Sequence, residues 1–240
     1  MMTTFLVLMA FFTVLVFSRV AAKGPFRVPR LGWQNWFFLF LSSSFLGCLF
    51  EMVFVWLGTG VLMSRSSLLY GAVSIVWGLG AVLMLLVLYP LRRYGGWAVF
   101  ASGAVLGGSF EYLASLLLER VYHRLFWDYS HIPFNLDGRT NLLYAAFWGL
   151  AGVAWGYWLV PRLLKRLEHL PPKGGRVAAT ALALLLTMDM GLSAAAFLRM
   201  EERSHGLAPS NRLELALDTW YDDGTMQRRY QNMTQPLSAP

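Results

Sequence analysis

The stretch from Glu111 to Gly149 decides how this chain folds. It reads E-Y-L-A-S-L-L-L-E at 111–119, F-W-D-Y-S-H-I-P-F-N-L-D-G-R-T-N-L-L-Y at 126–144 and W-G at 148–149. An apolar segment that carries acids leads into a polar, aromatic-rich loop, and a second apolar segment follows. A charge at the centre of a bilayer costs at least ~2.5–3.5 kcal/mol, so it normally faces a partner or a polar cavity. The stretch therefore predicts two membrane-spanning helices with a polar site near their connecting loop.

The composition of the whole chain is that of a membrane protein. Hydrophobic residues make up 57% of the sequence and charged residues only 14%, whereas soluble domains carry roughly a quarter charged residues. The net charge of +7 does not indicate nucleic-acid binding, because the basic residues lie beside apolar runs, where topology signals occur. The single cysteine, Cys48, excludes an intrachain disulfide.

Six segments reach or approach the ~20 apolar residues that a transmembrane helix needs. They are Met1–Ser18, Trp33–Leu57, Leu68–Tyr89, Gly96–Leu118, Leu142–Leu164 and Val177–Leu198. The first is expected to remain in the protein, since basic residues follow it instead of preceding it as in a signal peptide. The predicted fold class is all-α, a polytopic helical bundle over residues 1–200 with a tail at 201–240.

Basic residues set the predicted orientation of this bundle. They are concentrated in the first, third and fifth connections, which the positive-inside rule places in the cytoplasm. Both termini, the 127–141 loop and the tail would then lie outside a cell membrane, as in a bacterial inner-membrane protein. Arg120, Arg124 and Arg139 in the fourth connection run against this assignment.

The tail contains one helix signal. Asn211 precedes a stripe of apolar residues at helical spacing, and Glu214 stands three residues later, as in a capping box. The stripe consists of Leu213, Ala216, Leu217 and Trp220. We expect a short amphipathic helix on the membrane surface or on the bundle.

Two parts of the bundle resemble each other, at about 33–90 and 96–165. L-G-C-L-F-E at 46–51 matches L-G-G-S-F-E at 106–111, R-S-S-L-L-Y at 65–70 matches R-T-N-L-L-Y at 139–144, and W-G-L recurs at 77 and 148. Both copies enter the membrane in the same direction, so they can be related by an axis along the membrane normal. The pattern predicts an internal two-helix repeat.

The polar residues of the two copies are the candidate site. Because Glu51 and Glu111 lie on helix faces lined with small residues, which favour close helix packing, we expect them to point inward. One hypothesis is that the intramembrane acids and outer arginines converge on one outward-leaning cavity: Glu51, Glu111, Asp189, Arg65 and Arg139. The alternative is two structural ion pairs, one per copy.

The loop of the second copy adds further candidates for substrate binding. Asp128, Asn135 and Arg139 are the strongest, and Trp127 and Tyr129 are either site residues or interfacial aromatics. Turns are expected at Asp137–Gly138 and Asp222–Gly224, and Glu119 is expected to be solvated at the end of its helix. His131 has no second histidine at ligand spacing, so no metal or cofactor is predicted. The sequence lacks a P-loop, a G-x-S-x-G elbow and an H-E-x-x-H motif.

These residues resemble the membrane-protein family described as ABC-transporter type IV. The resemblance rests on Gly47–Glu51, Glu111–Glu119, W-D-Y-S at 127–130, F-N-L-D-G-R at 134–139 and the tail motif at 218–226, and it departs from the family pattern at Met63–Leu79. It implies a permease-like protein, for which a separate ATPase subunit would have to dock on the short cytoplasmic connections.

Three functions therefore remain open. The first is a permease-like component that binds or moves a small polar or amphipathic molecule at an acidic cavity. The second is an enzyme or binder acting on a lipid or lipid-linked group at the outer leaflet, with Asp128 or Glu111 as general base and Asn135 and Arg139 as headgroup ligands. The third is a structural assembly factor.

Overall fold

The computed structural model describes residues 28, 30–231 and 233. Within them the protein is almost entirely helical, as predicted, with one short hairpin. The elements in chain order are α1 Trp33–Thr59, α2 Ile75–Leu91, a 3-10 turn Arg92–Tyr94, α3 Gly96–Tyr122, β1 Asn135–Leu136, β2 Thr140–Asn141, α4 Leu142–Ala154, a π-helical turn Trp155–Leu159, α5 Val160–Glu168, α6 Pro172–Ser204, α7 Arg212–Trp220 and α8 Asp223–Arg229.

Five of these helical segments are long and apolar enough to cross a membrane: Trp33–Thr59, Ile75–Tyr94, Gly96–Tyr122, Leu142–Glu168 and Pro172–Ser204. They correspond to the second through sixth segments expected from the sequence. The first expected segment, Met1–Ser18, lies outside the described residues.

The second spanning helix begins later than the sequence predicts. It starts at Ile75 instead of Leu68, and Leu68 and Leu69 are buried in an irregular connection. The cause is Ser66, whose hydroxyl bonds backbone groups of Leu68 and Val73. Such local side-chain bonds compete with helix formation.

Pro161 interrupts the fourth spanning helix without ending it. Proline has no N–H for the helical ladder, and the helix widens just before it, so that the Val160 N–H reaches the carbonyl of Trp155. The buried Arg92 side chain donates to the carbonyl of Gly156 in this turn, at 3.1 Å. The helix therefore continues through the proline as a π-helical turn.

The five helices alternate in direction and define two ends of the bundle. The loop end comprises the 60–74 connection, the 123–141 loop and the tail from 205 onward. The basic end comprises the 92–95 turn and the 162–176 segment. One cluster of buried side chains joins the first four spanning helices, and a second packs the tail against α6 at the loop end.

Two glycines allow a tryptophan of the next helix to pack directly on α1 and on α3. A Cβ placed on Gly47 would lie 2.3 Å from Trp77, and one placed on Gly107 would lie 2.3 Å from Trp148. These are equivalent positions of the two sequence copies. Each helix pair is thus held by the same glycine–tryptophan contact, although the repeat itself stays a prediction.

Gly107→Ala should destabilise the protein by about 1–3 kcal/mol, the usual cost of an overpacked contact. Thermal unfolding in detergent measures the change. Gly191→Ala is the matched control, since nothing lies within 4 Å of its added Cβ on α6. An equal midpoint for the two variants would contradict the tight contact.

Salt bridges fix the tail to the end of α6. Arg199 is 2% exposed and bonds Asp218 at 2.9 Å. Arg203 bonds both Asp218 and Asp223 at 2.7 Å. Hydrogen bonds from Arg199 and Arg203 lower the pKa of Asp218 to about 2.

The predicted tail helix forms, but only part of its apolar stripe is buried. Asn211 caps α7 and Glu214 reaches back to the Ser210 N–H, as in a capping box. Leu217 is buried, whereas Leu213 and Trp220 are exposed. The expected turn at Asp222–Gly224 is instead the start of α8, with Asp222 as N-cap.

The tail should stay docked in mild acid. The pKa of Asp218 is lower when folded than its ordinary ~3.9, so its contribution is present above that value and is lost as the pH falls towards about 2. Asp218→Asn should loosen the tail at neutral pH and speed tryptic cleavage within 205–231. Glu168→Gln, an equal charge change at the basic end, should not, and equal cleavage would contradict the docking.

Candidate functional site

Glu51 on α1 forms an ion pair with Arg65 of the following connection. The guanidinium donates two hydrogen bonds to Oε1, one of them 2.7 Å from Nε. The indole of Trp77 donates to the other oxygen, Oε2, at 3.0 Å. This is the ion pair predicted for the first copy.

Glu111 on α3 has a different set of partners. Glu111 is only 7% exposed. Hydroxyl groups donate to both of its carboxyl oxygens: Tyr129 to Oε1 and Thr140 to Oε2, each at 3.0 Å. The Trp148 side chain lies close enough to the carboxyl group to influence it electrostatically. Among the described residues, Glu111 makes no ion pair.

The two glutamates belong to one centre. The rings of Trp77 and Trp148 are 5.0 Å apart; the Trp77 indole donates to Glu51, and Trp148 lies near Glu111. Glu51 and Glu111 are close enough to interact electrostatically. We call this group, Glu51, Glu111, Trp77 and Trp148, the paired-glutamate centre.

The hairpin places Thr140, one of the two hydroxyl partners of Glu111, beside this centre. β1 and β2 pair through Asn135 with Asn141 and Leu136 with Thr140, which sets Thr140 against α3. Asp137 and Gly138 both have positive φ, as the two central residues of a type I′ turn do, within the three-residue connection 137–139 between β1 and β2.

Asp128 and Asn135 hold the loop together. The Asp128 carboxylate accepts from the backbone and hydroxyl of Ser130, at 2.8 and 2.9 Å. The Asn135 amide donates to the carbonyls of Ser130 and Ile132 and accepts from Gly138. Their hydrogen bonds orient the backbone that carries Tyr129.

Arg139 pairs with Glu119 and not with Glu111. It also donates to Ser115 at 3.2 Å, and the Trp127 indole donates to its carbonyl. Glu119 was predicted to be exposed to solvent, so its pairing with Arg139 was not predicted. The longer loop of the second copy carries the arginine two helical turns away from Glu111, so the copies differ in charge pairing.

Asp189 of α6 lies at a separate position. It accepts from the Tyr70 backbone N–H and from Ser193, the latter at 3.2 Å. It thus anchors the connection that carries Arg65. The structure therefore brings Glu51, Arg65 and Glu111 together, and it gives Asp189 and Arg139 other partners.

Sequence reasoning missed the tryptophans and Thr140 as partners of the glutamates. The repeated W-G-L was the available signal, since it places an indole at the same point of each copy. Among the described residues, no group of three or more His, Cys, Asp or Glu is placed to hold a metal ion.

Apolar helices around a buried polar centre define a multi-pass membrane protein of the transporter-like class. The model of the family described as "Putative ABC-transporter type IV" matches residues 38–194, which is more than half of the chain, so the protein belongs to that family. The tail motif lies beyond the matched residues. Comparisons with curated proteins and with solved structures found no match.

Arg65→Met should lower stability by about 1–3 kcal/mol, because it leaves a half-buried carboxylate without its cation. The double variant Glu51→Gln/Arg65→Met should recover part of that loss, since no unpaired charge remains. Thermal unfolding of the two single variants and the double variant tests this. Purely additive losses would contradict the ion pair.

Proposed function

We propose that this protein is the membrane-spanning component of a transport system and binds a small polar or amphipathic molecule at the paired-glutamate centre. The observation that carries the proposal is the pair of carboxyl groups within apolar helices, which flank two indole rings in contact with each other. Acids in spanning helices are costly and are a frequent mark of substrate or ion pathways. Family membership supports the same class of function.

Aromatic rings extend this centre towards the surface between α1 and α4. Phe50 and Phe147 stack at 5.8 Å, and Phe50 also contacts Trp77. Phe50 is 47% exposed, so these rings form an apolar border beside a charged group. That combination suits an amphipathic ligand, whose apolar part and polar part need different surroundings.

The basic end supports an orientation with the loop end outside. It carries exposed Arg162, Lys165 and Arg166 in one short segment, as cytoplasmic segments do.

The basic end is also the proposed docking surface for a separate ATPase subunit. A groove of about 410 Å³ there is lined by Arg162, Lys165, Arg166 and His169. A chain without a P-loop needs a partner to use ATP, and this surface would suit an acidic partner face.

A lipid-modifying enzyme has less support. Of its two proposed bases, Asp128 is engaged by Ser130 and Glu111 by the hydroxyl groups of Tyr129 and Thr140. Its headgroup ligand Asn135 is engaged by the loop backbone. Arg139 is engaged by Glu119. Substrate binding by these residues would require the loop to give up the contacts that define it.

The wild-type protein, purified gently from native membranes, should retain a small molecule that mass spectrometry detects after extraction. Glu111→Ala should lose it at least ten-fold, because its polar anchor is removed. Asp137→Asn, a charge change on the loop surface, should retain it. Equal retention by both variants would contradict binding at the centre.

The same preparation should contain an ATPase in fixed ratio. Reversing three charges, Arg162→Glu, Lys165→Glu and Arg166→Glu, should abolish co-purification, whereas Arg120→Glu at the loop end should not. Quantitative mass spectrometry of the co-purified proteins measures the ratio. An ATPase that persists in the triple variant would exclude the basic groove as its docking surface.

A further inference from the structure

We infer that Glu111 is a proton-binding site, whereas its counterpart Glu51 is held in an ion pair with Arg65. The inference deepens the proposed function and rests on it for the role of the proton in transport. It arises from the hydrogen-bonding character of the partners that the two glutamates have at equivalent positions.

The partners of Glu51 only donate. The guanidinium of Arg65 occupies Oε1 and the indole of Trp77 occupies Oε2. Neither group has an acceptor. A proton on either oxygen of Glu51 would point at a donor and would remove the charge that Arg65 needs.

The partners of Glu111 at both oxygens are hydroxyl groups, those of Tyr129 and Thr140. A hydroxyl can donate to a carboxylate or rotate and accept from a carboxylic acid. Both forms of Glu111 are therefore hydrogen-bonded without a change in the fold. At 7% exposure and with no ion-pair partner among the described residues, the neutral form avoids the cost of burying an isolated charge.

The other charged and titratable groups around Glu111 each have a different partner. On α1, Glu51 is neutralised by Arg65. On its own helix and the loop, Glu119 is paired with Arg139. Tyr144 of α4 stacks on Tyr129 at 4.6 Å. None of these places a cation on Glu111.

Tyr129 keeps its own proton throughout. Burial raises its pKa well above the ordinary value, with a further contribution from Glu111, so it remains a neutral phenol. On release, the Glu111 carboxylic acid gives its proton to water, and the hydroxyls of Tyr129 and Thr140 donate to the carboxylate that remains. Glu111 becomes a carboxylate, one hydronium ion forms and Tyr129 is unchanged.

Infrared difference spectroscopy of the full-length protein in lipid nanodiscs tests the inference by titration with acid and base. We expect a protonated-carboxyl band that shifts in D₂O and decreases as the pH rises. Glu111→Gln should remove this band and Glu51→Gln should leave it. Absence of the band in the wild type, its persistence in Glu111→Gln, or its loss in Glu51→Gln alone would overturn the inference.

Two further variants protect the test if Glu111→Gln does not fold. Tyr129→Phe and Thr140→Val each remove one hydrogen bond to the carboxyl group, so each should move the band. A band unmoved by both would overturn the inference.

The spectrum needs no substrate, so it separates the two proposals. A band that depends on Glu111 in a protein that retains no ligand would support the proton site and contradict transport. A retained ligand without the band would support transport and contradict the proton site.

Discussion

A carboxyl group within an apolar helix needs hydrogen-bond donors, and in this protein close helix packing brings one to Glu51. Gly47 and Gly107 remove the side chains that would separate the helices, and Trp77 and Trp148 fill the space. The Trp77 indole then donates to Glu51, one turn beyond Gly47, and Trp148 lies near Glu111. Helix packing and the polar centre therefore depend on the same contact in the first copy, because a displaced Trp77 would leave both a void and a carboxylate with one donor fewer.

The connections supply the remaining partners of the two glutamates, and these partners differ between the two copies. The shorter connection holds Arg65 on Glu51, with Asp189 and Arg229 fixing its backbone from the side of α6 and the tail. The longer connection forms a hairpin, and its extra length takes Arg139 to Glu119. Tyr129 and Thr140 occupy the position beside Glu111 instead. A similar framework thus carries an ion pair in one copy and a glutamate bonded by two hydroxyl groups in the other.

The sequence predicted the features that depend on long apolar runs and on local turn chemistry. The five described spans, the Asp137–Gly138 turn and the Asn211 cap follow from such patterns. Arginine pairing could not be predicted in the same way, because Arg139 has acids at two depths of α3 within its reach. The start of α2 depended on Ser66, whose competing hydrogen bonds are visible only once the 60–74 connection has folded.

α6 has a consequence for how the molecule stands in the bilayer. Its 33 residues make a rod of about 50 Å at ~1.5 Å per residue, whereas the hydrocarbon layer is only ~30 Å thick. The helix must therefore tilt, or its ends must project into the headgroup region and the water. α7 and α8 are fastened to its last turns by Arg199 and Arg203. Any tilt of α6 in the bilayer would therefore carry both tail helices with it.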